Sequence, residues 1–170
     1  MPIERVVVNA SPIITLCRSR QAHLLPALFT EIVVPDAVWE EVVAGGADDP
    51  AARELEQAAW PVREAVEVSQ RVAAWNLGAG ESAVLSFGLR HPNYRCVVDD
   101  LEARRCARTL DLRFLGTGAI LELAKRRGLI DSVASGISRL RDVGLWVSRM
   151  WSPFCSDRRA SEWARWRCLP

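Results

Sequence analysis

Two adjacent carboxylates at the end of a short apolar run constrain this chain more than any other feature. Cys96, Val97 and Val98 indicate a buried strand, Asp99 and Asp100 follow it, and a basic helical segment comes next. Open α/β sheets place their binding sites beyond the carboxyl ends of such strands. Neighbouring carboxylates also repel each other, which costs stability unless a cation or an arginine offsets the repulsion. The doublet therefore predicts a functional site at this edge of a sheet.

Strand-like and helix-like segments alternate along most of the chain. The β-branched runs at 6–8 and 32–34 are typical of buried strands, and residues 112–115 predict a further strand. Residues 60–68 indicate an irregular segment or an edge strand around a proline. A glycine turn at 116–118 is expected to precede a helix that begins at Ala119. This alternation predicts an α/β fold, a mainly parallel sheet covered by helices.

The composition allows one domain with a sizeable core. The chain has 170 residues, of which 49% are hydrophobic and 25% charged, and its formal net charge of +1 neither requires nor excludes nucleic acid. Since it has no apolar run of about 18 residues and no signal-peptide pattern, we expect a soluble, cytoplasmic protein that does not enter a membrane. The five cysteines form no CxxC pair, so we expect free thiols.

The last part of the chain differs from the rest. Residues 1–147 are predicted to form the domain, and residues 148–170 a C-terminal tail rich in Trp, Arg and Cys without periodicity. Such a segment offers little to a core, so we expect it to be aberrant or disordered. Out-of-frame translation of a GC-rich gene would give this composition.

Four places along the chain put an oxygen-bearing side chain near a strand end or a helix start. These side chains are Asn9, Glu41, Glu81 and the pair Asp99 and Asp100. Hard divalent cations such as Mg²⁺ prefer oxygen ligands and take only a few from protein. A cluster of carboxylates from separate elements suits a metal ion that activates water for phosphodiester cleavage. The set therefore predicts a divalent cation site.

Each member of the set also has a structural explanation. Asp99 is predicted to cap the following helix, a role for which Asp100 is not needed. Glu81 lies in the first turn of a helix, where the helix dipole favours an acid. Glu41 could be a solvated helix position, and Asn9 could end a strand and satisfy a turn. The functional hypothesis rests on the set and on no single member.

Five motifs in order resemble those of PIN-domain proteins, over about residues 6–148. They are Val-Val-Val-Asn-Ala-Ser-Pro from Val6, Val-Val-Pro-Asp-Ala-Val-Trp-Glu-Glu-Val from Val33, Gly-Glu-Ser-Ala from Gly80, Val-Val-Asp-Asp-Leu-Glu-Ala-Arg from Val97, and Leu-Gly-Thr-Gly from Leu115. The last two are similar to the DDxxAR and GTxG signatures of a VapC-related prokaryotic branch.

The resemblance implies a PIN-like three-layer α/β/α sandwich around a short, mainly parallel sheet. It implies a ribonuclease that depends on Mg²⁺ or Mn²⁺, acts as a toxin held by a small antitoxin protein, and forms a homodimer. Carried over by position, Asn9, Glu41, Glu81 and Asp100 take the four acidic sites, with Asp99 beside the last. All five are expected to bind metal, and the four carboxylates are expected to be catalytic.

Four further side chains are assigned to RNA contacts: Ser11, Arg104, Arg105 and Thr117. The arginines follow the acid pair on a helix and could touch phosphates, although a solvated helix face explains them equally well.

Asn9 departs from the family pattern, because most active PIN nucleases have Asp there. An amide keeps an oxygen ligand but loses one negative charge, which weakens divalent binding. The alternative is therefore a catalytically weakened PIN module that binds RNA or a protein partner without cleavage. A nucleotide-binding protein is a third class, supported only by the glycine turn at 116–118.

Overall fold

A five-stranded parallel sheet forms the centre of the protein, in a computed structural model that describes residues 4–144. Its strands are β1 (Arg5–Val8), β2 (Glu31–Pro35), β3 (Pro61–Glu64), β4 (Arg95–Val97) and β5 (Phe114–Leu115). Their order across the sheet is β3-β2-β1-β4-β5, and every pairing is parallel. The predicted α/β fold is confirmed. The predicted tail at 148–170 lies outside the described residues.

Nine helices connect and cover these strands within residues 4–144. They are α1 (Ala10–Arg18), α2 (Leu24–Leu28), α3 (Asp36–Val43), α4 (Pro50–Gln57), α5 (Gln70–Ala73), α6 (Ala79–Arg90), α7 (Leu101–Thr109), α8 (Thr117–Arg126) and α9 (Val133–Asp142). None of the helices in this part of the chain is long and apolar enough to cross a membrane.

The β-branched runs become the buried middle of the sheet. Val6, Val7 and Val8 of β1 are fully buried, because β1 has a neighbouring strand on each side and helices over both faces. Val7 is in register with Val33 of β2 and with Cys96 of β4. Continuous apolar runs in place of alternation are what such a doubly covered parallel sheet requires.

The strand order places two of the predicted site segments side by side. The chain builds β1, β2 and β3 outward in one direction and then adds β4 and β5 on the other side of β1. In open α/β sheets ligands bind at the carboxyl ends of strands where the order reverses in this way. Val8 is in register with Val97, so Asn9 and Asp99 follow adjacent strands at this reversal point.

Several boundaries differ from the sequence prediction. The glycine turn is shorter than expected, because Thr117 already begins α8, two residues before Ala119. The edge-strand alternative for residues 60–68 is confirmed by β3, which within residues 4–144 pairs with β2 alone. The strand predicted at 112–115 is reduced to the two residues of β5.

The described cysteines are free thiols, as predicted. Cys17, Cys96 and Cys106 are all buried, and burial raises the pKa of the Cys96 thiol to about 12. Thiols of this kind are unreactive near neutral pH, because the thiolate is the nucleophile. These three side chains therefore serve packing.

Asp49 caps α4 and connects it to α1. Its carboxylate accepts hydrogen bonds from Ala51 N at 2.8 Å and from Arg18 Nη2 and Nε at 2.5 and 3.2 Å. The Arg18 hydrogen bond is the main cause that holds the pKa of the Asp49 carboxyl below its ordinary value. A lowered pKa means that this stabilisation is present above the ordinary value of 3.8 and is lost as the pH falls through the folded-state value.

We therefore expect Asp49→Ala to lower the free energy of unfolding by about 1–2 kcal/mol at neutral pH. The difference from wild type should shrink once the pH falls below the ordinary value of 3.8. Urea unfolding at neutral pH and at a pH below 3.8 measures this difference in the free energy of unfolding. Asp48→Ala is the matched control, since Asp48 is the exposed neighbour outside this cap. Equal losses of unfolding free energy for the two variants at neutral pH would contradict the assignment of Asp49 as the cap of α4.

Candidate active site

Asn9 lies directly after β1 and is almost fully buried, with 2% of its surface exposed. Its backbone N–H donates to Val97 O at 3.0 Å, which ties it to β4. The side-chain Nδ2 donates to Glu81 Oε1 at 3.0 Å. The other end of the amide, Oδ1, is buried without a hydrogen-bond partner among the described residues. A buried acceptor is stabilised by a hydrogen-bond donor or a cation, so this oxygen is a candidate cation ligand.

Glu81 lies in the first turn of α6, after the N-cap residue Gly78. Its Oε2 folds back towards Gly78 so closely that a side chain there would overlap it. The partial positive charge at a helix N-terminus stabilises an acid in this turn. The carboxylate is thus held on one side by its own helix and on the other by Asn9.

Glu41 reaches the same place from α3. A Cβ at Gly80 would lie 2.8 Å from Asn9 Oδ1 and 2.9 Å from Glu41 Oε2, so both oxygens approach the α6 backbone at one point. Glu41 is exposed as a whole residue, yet partial desolvation of its carboxyl and the charge of Glu81 raise its pKa above the ordinary value. We call Asn9, Glu41 and Glu81 the Asn9 cluster.

A second group, which we call the Asp99 cluster, consists of Asp99, Arg104 and Thr117. Asp99 Oδ1 accepts from Thr117 N at 2.9 Å and from Arg104 Nη2 at 3.1 Å, and Oδ2 accepts from the Thr117 hydroxyl at 2.5 Å. Arg104 Nε also donates to Val98 O at 3.0 Å. The N-cap of α8 is Gly116, which has no side chain to offer, so Asp99 caps α8 from the neighbouring strand.

The predicted helix cap at Asp99 is wrong by one residue. Asp100 is the N-cap of α7, and its Oδ1 accepts from Ala103 N at 2.8 Å. Glu102, in the first turn of α7, pairs with Arg105 at 2.6 Å. The long-range bonds to Thr117 draw the Asp99 carboxylate away from α7, and the next aspartate takes its place.

The structure brings the predicted site residues together in two clusters. Hydrogen bonds join Asn9 to Glu81 and join Asp99 to Arg104 and Thr117, while Glu41 approaches the backbone at Gly80 beside Asn9. Asn9 and Asp99 follow the adjacent strands β1 and β4. Within residues 4–144, no three His, Cys, Asp or Glu side chains converge closely enough to hold a metal ion. Asp100 is exposed, and only one of its oxygens serves the cap. A single site that includes Asp100 therefore stays a prediction.

The side chains assigned to RNA contacts differ in accessibility. Thr117 is fully buried, and Arg104 is engaged with Asp99 and Val98, so both have protein partners in place of RNA. Arg105 and Ser11 are exposed, although Arg105 also pairs with Glu102.

Two glycines that no sequence pattern marks as site residues make these clusters possible. Gly80 lets Asn9 and Glu41 approach α6, and a Cβ at Gly116 would overlap the Arg104 guanidinium and lie 3.1 Å from Asp99 Oδ1. Their positions within the Gly-Glu-Ser and Gly-Thr-Gly motifs are the signal that the sequence offers. Close approach of this kind depends on tertiary packing, which local patterns do not encode.

A family model described as a PIN domain matches residues 5–152, most of the chain. The chain belongs to the PIN-domain family. The predicted family and fold are thereby confirmed, while the VapC-related branch stays a prediction. No curated protein matches the chain.

PIN domains are generally nucleases, and PIN nucleases typically use divalent metal ions. The donor set of the Asn9 cluster fits such an ion. Asn9 Oδ1 is an unpartnered acceptor, the Glu41 and Glu81 carboxylates lie beside it, and the bare backbone at Gly80 leaves room. Hard cations prefer this all-oxygen donor set.

Proposed function

We propose that this PIN-domain protein is an endoribonuclease that depends on Mg²⁺ or Mn²⁺. The observation that carries the proposal is the buried, unpartnered Asn9 Oδ1, which shares one point of the α6 backbone with Glu41 Oε2. Such an oxygen pair lacks a positive partner, and a divalent cation would provide one. Family membership supports phosphodiester cleavage as the chemistry.

The Asn9 cluster would hold the cation, with Asp100 as a further ligand supplied from the end of β4. When bound there, a divalent cation would stabilise a phosphoryl oxygen and lower the pKa of a bound water. Asn9 orients Glu81 through its N–H group, and Glu81 lies in the first turn of α6, where the helix dipole favours an acid. Glu41 supplies the second negative charge, next to the unpartnered amide oxygen.

Asp99 has a positioning role in this proposal. Three hydrogen bonds already occupy its two oxygens, which leaves little capacity for a metal ion. Through them it fixes the end of β4 to the start of α8. Asp100 is the next residue, so the Asp99 cluster sets the position from which Asp100 acts.

Substrate RNA would lie across the carboxyl ends of β1 and β4. Ser11, in the first turn of α1, and Arg105, in the middle of α7, are both exposed on helices that follow these two strands, and they remain the proposed RNA contacts. A guanidinium suits this task because it offers several donors to phosphate oxygens.

Cleavage of a labelled single-stranded RNA tests the proposal. The purified chain should cleave the RNA when Mg²⁺ or Mn²⁺ is present and stop when EDTA is added. The DNA oligonucleotide of the same sequence is the substrate control. Cleavage that continues in EDTA would exclude the cation-dependent mechanism.

We further propose that the protein is the toxin-like member of a pair, a cytoplasmic homodimer held inactive by a small antitoxin. The support is the resemblance of its motifs to those of the VapC-related branch. Expression of the chain alone should arrest growth, and coexpression with the product of a small neighbouring gene should relieve it. Unimpaired growth with an active nuclease would contradict the toxin role.

A non-cleaving PIN module is the second candidate, and the amide at position 9 favours it. The Asn9 cluster carries two carboxylates where an aspartate would give three, and fewer charges bind a divalent cation more weakly. This candidate predicts RNA binding without turnover in the wild type. Cleavage that appears only in Asn9→Asp would identify a nuclease weakened by this one residue.

A further inference from the structure

The Asn9 amide lies between two carboxylates and can satisfy only one of them. An amide group carries its donors on nitrogen and only acceptor lone pairs on oxygen. Nδ2 donates to Glu81 Oε1 at 3.0 Å, so Oδ1 is the end that approaches the Gly80 backbone together with Glu41 Oε2. Exchange of the amide oxygen and nitrogen would only move the mismatch to Glu81. In either orientation one pair of oxygens lacks a positive partner.

An aspartate at position 9 would add a negative charge to this cluster and remove its hydrogen bond. It could not donate to Glu81, and its own carboxylate would be almost fully buried close to two other carboxylates. Without a cation, such a group is destabilised by repulsion and by desolvation. With asparagine at position 9, the contact with Glu81 is a hydrogen bond in place of a repulsion. Only Asn9 Oδ1 and Glu41 Oε2 then approach the same point without a donor between them.

We propose that Asn9 preassembles the divalent cation site, holding Glu81 in its ligand position before any cation binds and lowering the affinity for that cation in return. The inference rests on the cation site of the proposed function and does not depend on RNA cleavage. The folded state of this chain therefore does not require the cation, and occupancy follows the free concentration of the ion.

The Asn9→Asp variant of the full chain tests both proposed effects of the amide, stability without a cation and lowered affinity for one. In EDTA its melting temperature should lie below that of wild type, because the third carboxylate has no positive partner. Saturating Mn²⁺ should stabilise the variant more than the wild type, and its dissociation constant for Mn²⁺ should be at least about 10-fold lower. Thermal unfolding with and without Mn²⁺ and calorimetric titration measure both effects.

The Glu41→Gln variant tests whether the approach of Asn9 Oδ1 and Glu41 Oε2 costs stability when no cation is bound. A glutamine at this position removes one charge and brings an N–H group that can donate to Asn9 Oδ1. Its melting temperature in EDTA should therefore rise by about 2–4 °C, while the stabilisation by Mn²⁺ is lost. Glu40→Gln, one residue earlier on α3 and 74% exposed, is the matched control and should change neither quantity.

The outcomes separate this inference from the proposed function. An Asn9→Asp protein that melts at the wild-type temperature in EDTA, or binds Mn²⁺ no more tightly than wild type, overturns the inference even if the wild type cleaves RNA. The predicted shifts in a chain that cleaves no RNA support the inference and reject the nuclease. If Asn9→Asp does not fold, Glu41→Gln decides, and a melting temperature at or below that of wild type overturns the inference.

Discussion

Replacement of Glu81 by alanine is expected to reduce cation-dependent RNA cleavage by more than about 100-fold in a protein that remains folded. Loss of a residue that only supports a metal ligand already costs about 10- to 100-fold, so loss of a ligand should cost at least as much. Glu81 Oε1 is the acceptor of the Asn9 amide, so the variant also removes the contact that orients position 9. The free energy of unfolding should fall by about 1–3 kcal/mol, because the buried Asn9 N–H group loses its acceptor, and the loss of repulsion with Glu41 offsets part of this cost.

Single-turnover cleavage of labelled RNA at saturating Mn²⁺ measures this effect, with thermal unfolding as the check on folding. Glu67→Ala is the matched control, since the Glu67 side chain is 92% exposed and lies outside both clusters. A Glu81→Ala protein that cleaves within a few-fold of the wild-type rate would remove Glu81 from the proposed mechanism.

Replacement of Asp99 by alanine is expected to lower the free energy of unfolding by about 3 kcal/mol. The change leaves the Thr117 N–H and hydroxyl without their acceptor and removes the carboxylate that neutralises Arg104. Both side chains of that ion pair are largely shielded, with 29% of Arg104 and 17% of Asp99 exposed. Since Gly116 has no side chain to replace the cap, the start of α8 should also loosen.

The adjacent aspartate provides the comparison. Asp100→Ala removes one helix cap and should cost about 1 kcal/mol, roughly a third of the Asp99→Ala effect. Urea unfolding of the two variants gives both free energies. A larger loss for Asp100→Ala than for Asp99→Ala would contradict the assignment of the two carboxylates to their helices.

The central strands could be predicted from the sequence because parallel strands covered on both faces must be apolar along their whole length. The valine runs of β1 and β2 meet that condition without ambiguity. The edge strands do not, since β3 is mostly exposed and β5 has two residues, so neither has a strong pattern. The short helix α5 has only four residues, too few for a helical period to show.

The candidate site could be predicted only in part. Asn9 and Glu81 could be grouped because they lie at a strand end and a helix start, and the structure brings Glu41 to the same place from the last turn of α3. The sequence could not decide which aspartate of the pair caps α7, because either residue suits a cap. The deciding contact joins Asp99 to Thr117, which is 18 residues further along the chain.

The most direct test of the central claim is where Mn²⁺ binds in the wild-type protein. Substoichiometric Mn²⁺ broadens the NMR signals of nuclei near the bound ion. We expect the side-chain amide of Asn9 and the backbone amides of Gly80 and Glu81 to broaden first, because Asn9 Oδ1 and Glu41 Oε2 approach α6 at this point. The exposed carboxylates Asp48 and Glu67, which lie outside the site, should show no comparable effect. Broadening confined to such surface acids, with the Asn9 signals unchanged, would contradict the account.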